Sequence, residues 1–506
     1  MTVQQEDIDT APTPEEPTTP VGGDGAVSSF SASWNRIWGW GLPLTAVVCA
    51  ALMMLLDLSP QIIGGIGCLL MMSLMMMKMP VGLAMAIPGA IGVYSIVGDR
   101  ALEGMFRRMP YETVASWSLT VVPMFVLMGA LLFSSGITER IYAVARQWLG
   151  WMPGGLAVGT NFAGAGFASL SGSTLGSVFP LARAGVPEML KAGYDRRLAV
   201  GSVMAAGTLA HLIPPSLFLI IYAGVAEVAV GPQLMAGLVP GVLLAFMYGA
   251  FIILLAMLRP RLAGGPNQVR VRATWGERIR GVYGILAAPA LVILVIAGMQ
   301  SGIFTATEAG AAGALGALVI LLWMRRRDRP LRSVREGLYS TAGVTGAVFL
   351  LLVGSHMFSR LLSVSGLADG FVEIIIAWDL SRVQFLIVMV IVYVILGMFM
   401  DAMPMMLLTV PILLPLFSAM DISPLWFGVF IVIFMELAVL TPPIGVLGFV
   451  VHGIVQDPDV NNGQRISLGD VFTAVFVLMP IPLLLVGLMI AFPDFVTWVP
   501  DQMAGR

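Results

Sequence analysis

Asp401 is the only acid between Val383 and Met420, in a run otherwise apolar enough to lie inside a membrane. A carboxylate at that depth is costly and by default marks a functional site or a buried pair. A second interruption, Ser171-Gly172-Ser173-Thr174, sits within another apolar run. Small polar residues and Gly weaken a helix there. Each interruption is followed by a Pro-Pro pair, Pro214-Pro215 in the first case and Pro442-Pro443 after Thr441 in the second. Two successive prolines remove two backbone donors and leave carbonyls free. Hydroxyls, a carboxylate and freed carbonyls are oxygen ligands of the kind that hold Na⁺ where membrane helices unwind.

Two cation sites are therefore expected. The first joins Ser171 and Ser173 to carbonyls around Gly207, Ala210 and Leu212. The second joins Asp401 to carbonyls around Met435, Ala438 and Leu440, beside Thr441. Gly172, Thr208 and Ser216, with Pro214, Pro215, Pro442 and Pro443, are the candidates to meet a substrate. The competing reading is structural: Ser and Gly permit close helix packing, and Asp401 caps a broken helix. Glu308 and Glu436 also lie in apolar surroundings. A structural partner, a backbone group or an arginine, is favoured for each over a proton-carrying role.

The two interruptions belong to a repeat. At a shift of 228 residues Ser173–Ile220 falls on Asp401–Gly448 without a gap, Pro187 on Pro415 and Pro214-Pro215 on Pro442-Pro443. Upstream, at a shift of 230, LLFSSG at 131–136 meets LLSVSG at 361–366. Broken backbone at membrane depth survives only inside protein or beside a water-filled cavity. Paired interruptions in two halves are the best sequence pointer to a transporter's binding site.

Positioning these residues requires a membrane. Of 506 residues, 58% are hydrophobic and 11% charged, against roughly 25% charged in soluble domains. The net charge of −2 comes with no basic, aromatic-interleaved stripe, so nucleic acid is not an expected partner. Cys49 and Cys68 lack metal-ligand spacing, and His211, His356 and His452 lie far apart, so a transition-metal site is not expected. The 34 methionines read as lipid-facing or core filling. No Ser-His-Asp, HExxH or cysteine-nucleophile constellation suggests an enzyme.

Residues 1–37 read as a disordered tail, ahead of a membrane helix at 38–57. Spans follow at 60–77, 80–97 and 117–134, with an interfacial stretch at 99–116. An amphipathic surface helix is expected at 136–151 and another at 366–378. Residues 155–187 and 383–417 read as re-entrant hairpins, because their limbs are too short to cross twice. Broken segments lie at 198–226 and 426–451, and further spans at 234–258, 282–298, 303–324, 338–357 and 469–492. With the N-terminus inside, most of the 27 Lys and Arg fall on the cytoplasmic side, as charge bias requires. Arg107 and Arg108 do not. The C-terminus then lies outside. The two hairpins open to opposite sides, which makes the halves inverted.

FASLSGSTLGSVFPLARAGVPEMLKAGYDRRLAVGSVMAAGTLAHLIPPS, LGMFMDAMPMMLLTVPILLPLF and ELAVLTPPIG resemble the signature of the large membrane subunit of TRAP transporters, the tripartite ATP-independent periplasmic family. The resemblance runs from about residue 60 to 492. It implies an all-α polytopic protein of the bacterial inner membrane, an inverted repeat with two hairpins and two broken helices, working as a Na⁺-driven, elevator-type secondary transporter. It also implies two partners, a small membrane subunit and a periplasmic substrate-binding protein, and an organic acid as substrate. No cofactor beyond Na⁺ is implied. Domains then read as 1–37 tail, 38–57 additional helix, 58–150 scaffold helices and first arm, 151–230 first transport repeat, 231–380 scaffold helices and second arm, 381–455 second transport repeat, and 456–506 last helix and C-terminus. The tail and the 38–57 helix depart from the family pattern, as do His211 and Leu212 at the first break. A stand-alone H⁺- or Na⁺-coupled carboxylate carrier and a non-transporting membrane subunit remain the alternatives.

Overall fold

A computed structural model describes residues 41–171, 174–265, 273–327, 330–400, 402–442 and 445–503. Gly172, Ser173, Asp401 and Pro443 lie outside the described residues, as does the side chain of Ser171. The described residues are helical almost throughout, and no strand occurs among them. Among the described residues five helices are long and apolar enough to cross a membrane, or up to seven if each of two sharply bent pairs counts as one span.

The first described helices are α1 (Gly41–Leu55), α2 (Pro60–Met76) and α3 (Val81–Val97). Prolines set these boundaries. Pro60 occupies the first turn of α2 and Pro80 precedes α3, where a missing amide costs nothing. Gly98, at φ 96°, ends α3 and turns the chain into the polar helix α4 (Asp99–Val114). Next come α5 (Val121–Ser134) and α6 (Ile137–Leu149), bent by 70° from one another. The expected amphipathic stretch at 136–151 is thus a helix turned sharply off its predecessor, burying Ile137, Ile141, Tyr142 and Val144.

The segment expected as the first hairpin comprises α7 (Gly155–Ser171) and α8 (Thr174–Lys191). The broken segment follows as α9 (Arg196–Thr208), a 3₁₀ turn at Leu209–His211, and α10 (Leu217–Val225). After these run α11 (Val230–Leu258), α12 (Trp275–Ile285), α13 (Ala287–Gln300), α14 (Ala306–Met324), α15 (Pro330–Ser365) and α16 (Leu367–Ala377). The second interrupted pair is α17 (Arg382–Phe399) and α18 (Ala402–Ala419), and the second broken segment is α19 (Pro424–Leu440) and α20 (Val446–Ile454). A short α21 (Pro458–Asn461) leads to α22 (Leu468–Leu478), α23 (Pro480–Ala491) and α24 (Asp494–Met503).

Two spans are longer than their apolar cores. The expected span at 338–357 is the middle of the 36-residue α15. Its outer turns carry Arg332, Arg335 and Arg360, so hydropathy alone ends it early. The span expected at 282–298 begins instead at Trp275, under a capping box between Thr274 and Glu277, and bends by 54° between α12 and α13.

Close packing explains several glycines. A Cβ on Gly89 would stand 2.7 Å from the backbone of Met357, and one on Gly82 would meet the carbonyl of Leu350. α3 and α15 therefore cross backbone to backbone, as small residues permit in membranes. The two broken segments lie deepest. Every residue of α9 from Leu198 to Thr208 is buried, as is nearly all of α19. A helix without a polar face belongs in an interior.

Candidate functional site

The first break is built on hydroxyls and one histidine. α9 ends at Thr208, whose Oγ1 donates to Ala205 O at 2.8 Å. The amides of Leu212 and Ile213 both reach Leu209 O, at 3.2 and 3.0 Å. Ser216 caps α10 by accepting from the Leu219 amide at 3.3 Å, and its hydroxyl donates to His211 O. Pro214 and Pro215 are buried and joined by a cis peptide. The hydroxyls of Thr208 and Ser216 are thus both engaged with backbone carbonyls close by in sequence. Thr208 and Ser216 are fully buried.

His211 joins this break to the hairpin. Its Nε2 pairs with Thr174 Oγ1, in the first turn of α8, at 2.5 Å. Its ring is 2% exposed and meets Phe218 edge-on, with centroids 4.2 Å apart. Gly207 is small for a packing reason: a Cβ there would run into Val178 of α8. On the far side, a Cβ on Gly237 would stand 2.6 Å from Leu212 O, and one on Gly241 3.1 Å from Ile213 N. The Leu212 carbonyl therefore faces α11, not α8. Ala210 is fully buried in the 3₁₀ turn.

The second break follows the same plan without a histidine. Thr441 is in extended backbone. Its amide and Oγ1 both donate to Leu437 O, at 2.8 and 2.6 Å, and its carbonyl accepts from Gly445 N at 2.8 Å. Met435, Ala438 and Leu440 are buried, and Pro442 is half-buried. A Cβ on Gly397 of α17 would stand 3.0 Å from Ala438 Cβ. The first half has its counterpart, where Gly164 of α7 lies against Ala206 of α9. Tyr393 fastens α17 to both neighbours: its hydroxyl pairs with Thr409 Oγ1 of α18 at 2.8 Å, and its ring stacks on Phe434 of α19 at 5.5 Å.

The two halves also touch. Tyr222 Oη donates to Pro424 O at 2.7 Å and Gln233 Nε2 to Leu425 O at 3.3 Å, tying α10 and α11 to the start of α19. Tyr248 of α11 lies near both Thr208 and Glu436. At the shift of 228, Thr208 and Glu436 are equivalent residues. Sequence reading passed over Tyr222, Gln233 and Tyr248; their only signal was a polar group within an apolar run.

The two isolated acids differ. Glu308 is not at depth. It closes a capping box at the start of α14, its Oε2 accepting from Thr305 N at 2.9 Å, so the backbone partner expected of it is present. Glu436 is fully buried, and neither carboxyl oxygen has a hydrogen-bond partner among the described residues. The partner favoured for Glu436 is not found there. The basic exit of the hairpin is anchored by acids from the last quarter of the chain. Asp470 Oδ2 and Oδ1 meet Arg196 at 3.1 Å and Arg197 at 3.0 Å, and Arg183 meets Asp457 at 3.2 Å.

Apolar spans with paired interruptions are the architecture of a membrane transporter, and a solved structure shares the fold. The crystal structure of the Alcanivorax borkumensis YdaH transporter, described as having an unusual topology, aligns with a TM-score of 0.57 at 16% identity, over 87% of this chain and all of that one. Sequence comparison is more specific. The model of the tripartite ATP-independent periplasmic transporter, DctM component, matches residues 68–495, and the chain belongs to this family. It is 30% identical over 348 residues to the C4-dicarboxylate TRAP transporter large permease protein DctM of Pseudomonas aeruginosa, covering 69% of this chain and 80% of that one. It is 27% identical over 433 residues to the ectoine TRAP transporter large permease protein TeaC of Halomonas elongata, covering 85% and 97%. The chain is a multi-pass inner-membrane TRAP large permease.

Proposed function

We propose that this chain is the transporting subunit of a Na⁺-coupled importer of an organic acid. It works with a separate small TRAP membrane subunit and a periplasmic substrate-binding protein, and its N-terminus is cytoplasmic. The observation that carries the reading is the pair of buried helix breaks, each flanked by a hairpin-like helix pair of the same order. Na⁺ would be held by oxygens at two places. Ser171 and Ser173 with carbonyls around Gly207 and Ala210 form the first, without the Leu212 carbonyl, which faces α11, and Asp401 with carbonyls around Met435, Ala438 and Leu440, beside Thr441, the second. Gly172 and the prolines 214, 215, 442 and 443 would shape the substrate's side of the breaks, with Thr208 and Ser216 bracing them from within.

The halves are read as inverted repeats, and the hairpins with both broken helices as one body that moves against the remaining helices. Supporting this are the small residues Gly164 and Gly397 at matching interfaces and the Tyr222 hydrogen bond that joins the broken segments. Cation binding drives such a movement only through different affinities for its two end states. A carboxylate-bearing substrate is favoured by the relative named for C4-dicarboxylates, and ectoine, in the name of another, carries a carboxylate too.

The test is co-reconstitution with the small subunit and the binding protein, followed by uptake of labelled organic acids with and without a Na⁺ gradient. Uptake requiring both Na⁺ and the binding protein is expected. Asp401→Asn and Ser173→Ala should each raise the Na⁺ concentration needed for half-maximal uptake. An unchanged Na⁺ dependence in the double variant overturns the assignment of the sites. Uptake that ignores the binding protein points to a stand-alone carrier.

A further inference from the structure

The far end of α10 runs short of donors from its own segment. Ala226 N bonds to Tyr222 O at 2.8 Å and Val228 N to Ala223 O at 3.0 Å. No backbone amide bonds to Gly224 O among the described residues. A helix leaves its last carbonyls without internal partners, and each needs a donor from elsewhere. Gly224 is also tightly seated. A Cβ there would stand 3.1 Å from Leu119 Cδ2 and 3.6 Å from Leu352 Cδ2 of α15. His356 of α15 is the side chain beside this end: its ring lies near the Gly224 backbone and Glu227. Its Nδ1 pairs with Thr113 Oγ1 of α4 at 2.9 Å. A cleft of about 660 Å³ opens alongside, lined by Glu112, Ser116 and Arg360 on one side and by Glu227 and Ala229 of the α10–α11 corner on the other.

The second half ends its broken segment differently. At the shift of 228 Gly224 falls on His452, near the end of α20. The His452 carbonyl accepts from Gln456 Nε2 at 3.3 Å, a donor four residues on in the same chain segment. One segment completes its own end, and the other has a helix 130 positions away to do it. We propose that His356 is a positioning residue that clasps the first broken segment to α4 and α15. Thr113 Oγ1 donates to Nδ1, and Nε2–H donates to Gly224 O. A neutral imidazole has one donor and one acceptor, and this tautomer uses both. Thr113 thereby sets which way the ring faces. The clasp rests on the reading that the broken segments move against the remaining helices, and it deepens that reading by naming a contact that holds the moving body in the arrangement described. The adjoining cleft gives water access to the contact, so its parting leaves neither group buried and unpaired.

The experiment places a reporter under the clasp. Leu119 is 4% exposed and faces Gly224, so Leu119→Cys reacts with a membrane-impermeant maleimide only when the end of α10 lifts away. The full chain is reconstituted with the small subunit and the binding protein, and the rate is corrected for Cys49 and Cys68 with the chain lacking the added cysteine. His356→Leu should raise the rate roughly fivefold, the population shift that one net hydrogen bond carries. Thr113→Val, which frees the ring to turn, should raise it too. His356→Gln, with a donor and an acceptor of its own, should return it most of the way. Gln456→Ala, which uncaps the equivalent carbonyl within its own segment, should leave it unchanged. An unchanged rate in His356→Leu overturns the clasp, and a rise in Gln456→Ala equal to that in His356→Leu overturns it in favour of general loosening. The rate with His356 in place should also change when Na⁺ and substrate are added. A rate that never responds to them, in any variant, overturns the moving body and the holding role with it, whereas a rate that responds but is the same with and without His356 overturns the clasp alone.

Discussion

Ser135 and Ser365 make the same two hydrogen bonds at equivalent places in the two halves of the chain. Ser135 Oγ donates to Leu132 O at 2.6 Å and accepts from Ile137 N at 3.3 Å. Ser365 Oγ donates to Leu362 O at 3.1 Å and accepts from Leu367 N at 3.3 Å. Each is followed by a glycine in the left-handed region, Gly136 at φ 77° and Gly366 at φ 64°. A long helix thus ends and an amphipathic one begins by the same local device. The serine satisfies the last carbonyls and the first amides of the corner, which have no helical partner.

The corner should respond alike in both halves. Gly136→Ala and Gly366→Ala force a Cβ into left-handed backbone, at a cost of about 1–2 kcal/mol each. Ser135→Ala and Ser365→Ala should each cost roughly 1 kcal/mol by removing a cap. Thermal unfolding in detergent measures all four. A large loss in one half with none in the other would show that the shared pattern carries no shared stabilisation.

The same comparison indicates what could be read from residues alone. LLFSSG and LLSVSG differ in their middle, yet serine and glycine stand in register, and hydrogen bonding fixes both. The helix breaks were legible because Pro-Pro cannot continue a helix. The extent of α15 was not, because its ends carry charges where the helix leaves the apolar layer. Nor was the role of His211, which depends on Thr174, a residue 37 positions away that only folding brings near. Glu308 and Glu436 look alike in sequence, each an acid among apolar neighbours. Their difference is burial, which a helix apolar on every side does not encode by period.

The pairing of Thr174 with His211 fixes the first hairpin to the first break. Thr174→Val keeps the shape and removes the hydroxyl. His211 Nε2 is then left buried and unpaired, at a cost of about 1–3 kcal/mol. Thr174→Ser keeps the hydroxyl and should restore most of the loss. Unfolding midpoints of the two variants make the comparison, and a Thr174→Val midpoint no lower than that of Thr174→Ser would show that the hydrogen bond carries no net stability. If the pair also orients the break for transport, Thr174→Val should slow reconstituted uptake and Thr174→Ser should not.

Glu308 is a cap, and its variants should behave as cap variants. Thr305→Ala removes the side chain that accepts from the Glu308 amide and should cost about 1 kcal/mol. Glu308→Gln keeps an acceptor for the Thr305 amide, as capping boxes tolerate. Uptake by Glu308→Gln, and the pH profile of that uptake, should match the unmodified chain. A folded Glu308→Gln protein with uptake abolished would make Glu308 a proton carrier after all.

Glu436 invites the opposite expectation. Its carboxyl is fully enclosed with no hydrogen-bond partner among the described residues, and enclosing an unpaired polar group costs about 1–3 kcal/mol on mutational scales. Glu436→Met, similar in volume and without polar oxygens, should therefore raise the unfolding midpoint. Residues that oppose stability in this way are expected where function needs them. Thr208, on which Glu436 falls at the shift of 228, lies near the same tyrosine, Tyr248, and the two broken segments touch at Tyr222 and Pro424. Reconstituted uptake should fall sharply in Glu436→Met despite the gain in stability. A variant both more stable and fully active would mean that the carboxyl is tolerated and not used. A variant that loses stability would mean that the acid has a stabilising partner, such as an enclosed water or a bound cation.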